Sequence, residues 1–404
     1  MKNILKTLIG KWRRTSLVLR IFAGLVAGIV LGLTCPQFTF ISILGTLFVS
    51  ALKAIAPILV AVLVAASIAK AQGGLGARFR TVIMLYLLAT FLAAAVAVTA
   101  SFLFPVKLVL SGMAGSQAPG SLYEVFSGLA TNVVSNPLQS VSSANYLGVL
   151  FWAVIIGLAL KLKASAATIG MVSDFSEVVS QAVRWVIQFA PFGILGLVFA
   201  SVSESGPGIF TTYGRLLLLL VGCMLCSALI VNPLIVAAFL RRNPYPLVWH
   251  CLKESGLHAF FTRSSAANIP INMNLCRRLG IEEDFYSVSI PLGATINMNG
   301  AAVTITVMTL SLCHTLGVDV NLVSALFLSL LATLAACGAS GVAGGSLLLI
   351  PMACSLFGIA GDMAMQAVAV GFIIGVVQDS VETALNSSGD ALFTVTAETY
   401  DKQK

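Results

Sequence analysis

The chain has 404 residues, 58% of them hydrophobic and only 9% charged, with a mean hydropathy of +0.99. A soluble globular chain carries about 25% charged residues, so this composition excludes a soluble domain and implies an integral membrane protein. The net charge of +8 sits mostly in short loops and termini. That placement excludes nucleic-acid binding and marks those segments as cytoplasmic by the positive-inside rule.

In chain order, residues 1–15 come first: MKNILKTLIGKWRR puts Leu5, Leu8, Ile9 and Trp12 on one face and lysines elsewhere. That pattern predicts a short helix lying on the inner leaflet. Six spans follow within 16–240, at about 16–34, 39–70, 80–104, 145–165, 180–203 and 213–240. The second is long enough to require tilt. Residues 105–144 read as an extracytoplasmic loop with short amphipathic pieces. The eight cysteines are scattered, and the Cys223/Cys226 pair lies inside a continuous apolar run, which favours helix packing over redox or metal chemistry. His250, His258 and His314 fall near span ends and read as interfacial.

After residue 243 the texture changes. Segment 248–280 is too polar in its middle to cross lipid as one helix, and 322–358 is interrupted by GASGVAGGS at 338–346. Each predicts two half-helices meeting at a small-residue tip, a re-entrant hairpin shielded by protein. Between them, 284–313 is a span interrupted by NMNG at 297–300. The last span, about 362–395, carries Asp379, Glu382, Thr383, Asn386 and Asp390 along one stripe. Acids at membrane depth cost roughly 2.5–3.5 kcal/mol each on insertion scales, so they mark a functional cavity. Two interrupted segments in matching positions, each followed by a polar span, point to an inverted repeat and a transporter binding site.

Half-helix N-termini and the hydroxyls of Ser264 and Ser265 suit a carboxylate. Asp379 offers a counter-charge for an ammonium group, Asn386 can donate and accept, and Asp390 with unwound carbonyls near 297–300 suits Na+. An amino acid beside a small monovalent cation fits this set. GASG at 338–341 also matches an intramembrane serine-protease motif, with Ser340 as nucleophile. No histidine follows His314 to act as its base, which excludes an enzyme of that kind. A channel on the same scaffold is a rival, as is proton coupling through Glu382.

TRSSAANIP (262–270), PLGATINMNG (291–300), GASGVAGGS (338–346) and QDSVETALNSSGD (378–390) together resemble the signature elements of the dicarboxylate/amino acid:cation symporter family. The likeness is greatest to its bacterial sodium-coupled serine/threonine branch. The resemblance implies an all-α polytopic fold of eight membrane helices and two re-entrant hairpins, assembled as a homotrimer in the bacterial inner membrane with both termini cytoplasmic. It implies an elevator-type motion, with 16–240 supplying the scaffold, the trimer surface and part of the transport domain. Residues 245–397 form the transport core and 398–404 a cytoplasmic tail.

By the same resemblance, Asp379 holds the substrate ammonium with the Arg263 and Val342 carbonyls. Ser265, the backbone N–H groups at the hairpin tips and Asn386 hold the carboxylate, and Thr383 lies near the substrate side chain. One Na+ site uses Gly293, Asn297, Asn386 and Asp390. A second uses Thr295 with the carbonyls of Ala336, Cys337 and Ala339. Two departures bear on the cargo. Members that take acidic substrates have arginine at the position of Glu382, so an acid here argues for neutral hydroxy amino acids such as L-serine and L-threonine. Glu382 either accepts a substrate hydroxyl or pairs with Arg263; both readings are open. Asn299 replaces an aspartate beside Tyr86, Ala89 and Thr90, which weakens a third cation site and implies one or two coupled sodium ions.

Overall fold

The computed structural model describes residues 15, 17–70, 77–110, 134–143, 145–339 and 344–403. The inner-leaflet helix expected over the first fourteen residues, and most of the expected extracytoplasmic loop, lie outside that set. Every regular element among the described residues is helical.

The first helix, Leu17–Thr34, carries Gly24, Gly28 and Gly32 at four-residue spacing, which builds a smooth stripe. The stripe lies directly on the backbone of helix Ala190–Ser205. A Cβ at Gly24 would sit 2.1 Å from the Pro191 carbonyl oxygen, and one at Gly28 would sit 2.7 Å from that of Leu195. Close approach of this kind is how helices associate where lipid supplies no hydrophobic drive. Helix Ser42–Lys70, with Pro57 in its interior, packs against Ala190–Ser205, Tyr146–Lys163 and Ala166–Gln188.

Residues 180–203 were expected to form one span. They do not: Ala166–Gln188 and Ala190–Ser205 are separate helices, bent by 52° at Phe189. Pro191, in the first turn of the second helix, has no N–H to continue the preceding ladder and disfavours helical geometry before it. The sequence reading also missed the helix over 166–179, whose polar residues mask its apolar face.

The third helix, Ala77–Leu103, and the sixth span pack instead on the C-terminal half. The sixth span runs through Ile209–Cys226, a π turn at Ser227–Val231, and Asn232–Leu240. Pro233 follows that π turn and removes a helical donor there.

The first hairpin comprises Tyr245–Cys251, a π turn at Leu252–Gly256, Leu257–Thr262, and a returning arm Ser265–Arg278. The chain reverses at Arg263, whose φ of 52° is left-handed, and Ser264, whose hydroxyl caps the returning helix by accepting from the Ala267 N–H at 3.2 Å. The interrupted span is two helices, Glu283–Ile296 and Asn299–Leu316, with the break at Asn297–Met298 where it was expected. The second hairpin rises as Leu322–Ala336 and returns through the 3₁₀ turn Gly345–Leu349 and Ile350–Ser355.

The last helix spans Gly361–Lys402, 42 residues, longer than the expected 362–395 and continuing through the expected tail. At 1.5 Å per residue it is roughly 63 Å long, about twice a hydrocarbon core. Lys402 pairs with Glu398 one turn back and with Glu282 at 3.3 Å, which extends the helix beyond its apolar part.

Five helices among the described residues are long and apolar enough to cross a membrane, or six if the bent pair counts as one span. The molecule is therefore a multi-pass, all-helical membrane protein.

Candidate functional site

The last helix is buried on all sides from Ser387 to Glu398, so its polar residues must find partners within the protein. Asp379 does so at the tip of the first hairpin. The left-handed turn at Arg263 aims its guanidinium at this carboxylate, and both Nε and one terminal nitrogen lie 2.7 Å from Asp379 Oδ2. From the second hairpin, the Gly344 N–H reaches Asp379 Oδ1 at 3.4 Å. Beside them is a cavity of about 20 Å³, lined by Arg263, Gly344 and Asp379 and closed by Ile21, Ile187 and Ile194. That is room for about one water molecule. Asp379 thus lies between both hairpin tips and faces the bundle formed by the first helices.

The pairing of Glu382 with Arg263 is not formed. Arg263 goes to Asp379, and Glu382, one turn further along, points at the second half of the interrupted span and the returning arm of the second hairpin. Its Oε2 accepts from Thr304 Oγ1 at 2.7 Å, from Ser346 Oγ at 2.9 Å and from Gln378 Nε2. Among the described residues its Oε1 accepts no hydrogen bond. Gly300 permits this approach, because a Cβ there would lie 2.8 Å from the Glu382 Cα.

Asn386 mends the break in the interrupted span. Its Oδ1 accepts from the Gly300 N–H at 2.7 Å, acting as a helix cap delivered from another helix, while among the described residues its Nδ2 meets only the Met298 sulfur at 3.4 Å. Asn297 donates from Nδ2 to the Asn386 carbonyl and to Asp390 Oδ1, both at 2.9 Å. That leaves Asn297 Oδ1 and Asp390 Oδ2, both fully buried and without a hydrogen-bond partner among the described residues. Gly293 completes the cluster, since a Cβ there would lie 2.9 Å from Asp390 Oδ1. Buried oxygens left without donors are costly unless a cation meets them, and this donor set is all hard oxygen, which suits an alkali cation.

The residues expected at a second cation site gather less tightly. Thr295 spends its hydroxyl hydrogen on the Leu292 carbonyl at 2.7 Å and keeps its lone pairs. Cys337 Sγ meets the neighbouring Ile296 carbonyl at 3.7 Å, placing the rising arm of the second hairpin at the break. The Ala336 carbonyl accepts from the Ala339 N–H at 2.9 Å, and the Ala339 carbonyl faces Gly345. Around Asn299, Thr90 Oγ1 donates to its Oδ1 at 2.9 Å, and its Nδ2 donates to Asn232 at 3.3 Å. Tyr86 bonds Thr394 and the Ser289 and Asp390 carbonyls. Neutral protein donors surround Asn299, where a third cation site was expected to be weakened.

Ser265 is buried in the first turn of the returning arm. Thr383 donates to the Asp379 carbonyl at 2.7 Å, the local bond that hydroxyls in membrane helices commonly make. Val342 lies outside the described residues.

Several polar residues escaped the sequence reading. Gln378 and Thr304 flank Glu382, and Gln378 at i−4 was a readable signal. Asn268, Asn272, Ser255 and Ser387 form a second buried network, with Asn268 Nδ2 at 2.7 Å from Ser387 Oγ and Asn272 Nδ2 at 2.9 Å from the Ser387 carbonyl. It pins the first hairpin to the last helix. The repeated asparagines in NIPINMN were its signal.

Outside the spans, Glu282 is held below the ordinary glutamate range, first by its hydrogen bond to Arg78 and then by Lys402. Arg78 also pairs with Asp284.

Three relatives match this chain over nearly its whole length, each named a serine/threonine transporter. That of Bifidobacterium adolescentis is 59% identical over 95% of this chain and 89% of its own. That of Enterococcus faecalis is 56% identical over 97% and 93%, and one from Streptococcus thermophilus is 53% identical over 98% of both chains. The sequence profile of the sodium:dicarboxylate symporter family matches residues 17–400. With two hairpin tips meeting at one buried acid and a second acid beside the break of an interrupted helix, the chain belongs to the sodium:dicarboxylate symporter family.

Proposed function

We propose that this protein imports small neutral hydroxy amino acids, L-serine and L-threonine, driven by inward Na+ flow. It is a transporter and not an enzyme. The observation that carries the substrate reading is the pair of acids one turn apart, Asp379 and Glu382, of which Asp379 holds a cation and Glu382 keeps one oxygen without a donor among the described residues.

In this reading the substrate ammonium takes the place of the Arg263 guanidinium on Asp379, with help from the Arg263 and Val342 carbonyls. The carboxylate meets Ser264, Ser265, the N–H groups at the tips and Asn386 Nδ2, which the Met298 sulfur holds only weakly. Thr383 lies alongside. A substrate carboxylate at Glu382 would meet repulsion, which excludes aspartate and glutamate. Na+ is taken by Asp390, Asn297, Asn386 and Gly293, and a second ion by Thr295 with the carbonyls of Ala336, Cys337 and Ala339. The hydrogen-bonded Asn299 leaves no third site, so one or two ions accompany each substrate.

The cavity of about 20 Å³ beside Asp379 is far smaller than an amino acid, so the hairpin tips must part to admit one. The resemblance supplies the remaining parts: eight spans with two hairpins, a homotrimer in the bacterial inner membrane with cytoplasmic termini, and an elevator motion of residues 245–397 with part of the first six spans.

The test is uptake into proteoliposomes under an imposed Na+ gradient, with serine, threonine, alanine and aspartate compared. Serine and threonine should accumulate and aspartate should not. Accumulation driven equally by a proton gradient without Na+ would instead make the protein a proton symporter. Asp379→Ala should abolish uptake; near-normal uptake would remove Asp379 from the substrate.

A further inference from the structure

Glu382 is held in an unusual way: three donors from three elements converge on one of its oxygens. Thr304 belongs to the second half of the interrupted span, Ser346 to the returning arm of the second hairpin, and Gln378 to the preceding turn of the last helix. All three are buried. Gln378 Nε2 donates to Thr304 Oγ1 at 2.8 Å as well, so the threonine hydroxyl accepts from the amide and passes its own hydrogen to Glu382. The orientation of the amide has one physical solution. Turned the other way, its oxygen would abut Glu382 Oε2, acceptor against acceptor. As placed, Gln378 Oε1 has no partner among the described residues. A residue serving only to fill space would not leave a buried acceptor unpaired.

We propose that Gln378, Thr304 and Ser346 are positioning residues that turn Glu382 into a selector for hydroxylated substrates. They saturate Oε2, lock the carboxylate, and leave Oε1 as the acceptor for the substrate hydroxyl. The inference rests on Glu382 facing the substrate. Asp379 and Glu382 are three residues apart on a helix, where Cβ atoms lie about 5–6 Å from each other. Serine and threonine carry ammonium and hydroxyl on adjacent carbons, so one molecule can bridge the two acids. Alanine, which lacks the hydroxyl, would leave Oε1 desolvated and unpaired, and that penalty is what the three donors make specific. A freely turning carboxylate would swing aside to another donor and lose the discrimination.

The experiment measures half-saturation for serine and for alanine in proteoliposomes of the full-length protein, at saturating Na+. Glu382→Gln is the reference, with Gln378→Met, Thr304→Val, Ser346→Ala and the conservative Thr304→Ser beside it. The preference for serine over alanine should fall by about tenfold in Gln378→Met and Thr304→Val. Alanine half-saturation should fall as the carboxylate is freed to turn aside, the Na+ dependence should stay at the parent value, and Thr304→Ser should restore the preference. Ser346→Ala gives the same readout from a different element should either of the others fold poorly. Unchanged preference in all three variants, with loss in Glu382→Gln, would overturn the positioning role and leave Glu382 as the hydroxyl acceptor. Unchanged preference in Glu382→Gln itself would overturn both. Equal losses for serine and alanine would show that the three donors serve only packing.

Discussion

At the residue scale, the three acids of the last helix differ by what meets them. Among the described residues, Asp379 has a guanidinium at 2.7 Å, Glu382 has three neutral donors on one oxygen, and Asp390 has one amide and a bare Oδ2. Among these three acids Asp390 has the least compensation from the described residues, which is why the cation is proposed there. Asp390→Asn should raise the Na+ concentration for half-maximal transport by roughly tenfold or more, the loss that even second-shell groups cause at metal sites. Serine half-saturation at saturating Na+ should change far less, and a Na+ dependence equal to the parent's would place the ion elsewhere. Glu382→Arg should depress serine uptake and admit aspartate, read by competition of each amino acid against labelled serine; intact serine selectivity would take Glu382 out of the substrate's reach. An arginine there also faces Thr304 and Gln378, both arranged as donors, so some loss of folded protein accompanies the switch.

At the element scale, the site depends on helices that stop where a membrane helix ordinarily continues. Arg263 and Ser264 turn the first hairpin, and the interrupted span stops at Asn297 because Asn386 supplies the cap its second half needs. These breaks were legible in the sequence because polar and small residues interrupt apolar runs. The bend at Phe189 was not, because Gln188 and Pro191 fall within a run still apolar enough to read as one span. The first helix illustrates packing without polar groups. Gly24→Ala would thrust a methyl group to 2.1 Å from the Pro191 carbonyl. Overpacking of this kind costs typically 1–3 kcal/mol, so the thermal midpoint in detergent should fall. Gly170→Ala is the control: nothing lies within 4 Å, and helix propensity favours alanine by about 0.5–1 kcal/mol. Equal midpoints for the two variants would mean that the first helix does not rest on its partner as described.

At the scale of the whole molecule, chain order and spatial grouping part company. The helices within 17–70 and 146–205 pack together, whereas Ala77–Leu103 and the sixth span pack on the hairpins, the interrupted span and the last helix. One polar cluster ties the ends of this second group. Arg78 at the start of the third helix bonds Glu282 and Asp284, the Glu282 N–H donates to Glu398, and Lys402 reaches Glu282 and Glu398. Because the Glu282 carboxyl is held below its ordinary value, it stabilises the fold at neutral pH. That contribution is lost as the pH falls below about 4.5 and through the folded-state value. Glu282→Gln should therefore lower the thermal midpoint at pH 7 and low salt, converge on the parent as the pH falls through the folded-state value, and approach the parent at 1 M salt, where exposed pairs are screened. A deficit independent of both pH and salt would mean that packing, not charge, is at work.

The sequence by itself determined that the chain lives in a membrane, that two hairpins and one interrupted span lie in its last 160 or so residues, and that one stripe of acids marks the candidate site. Apolar runs, their interruptions and helical periodicity are local quantities, written in consecutive residues. Only the tertiary structure decided that Arg263 meets Asp379 and not Glu382, that Asn386 closes the break of another helix, and that one oxygen each of Asn297 and Asp390 finds no donor among the described residues. It also decided which of the first six spans join the C-terminal half. Those outcomes depend on where side chains from segments about 90 to more than 100 residues apart arrive, and on which donor reaches an acceptor first. The spacing of residues along one helix carries no record of that.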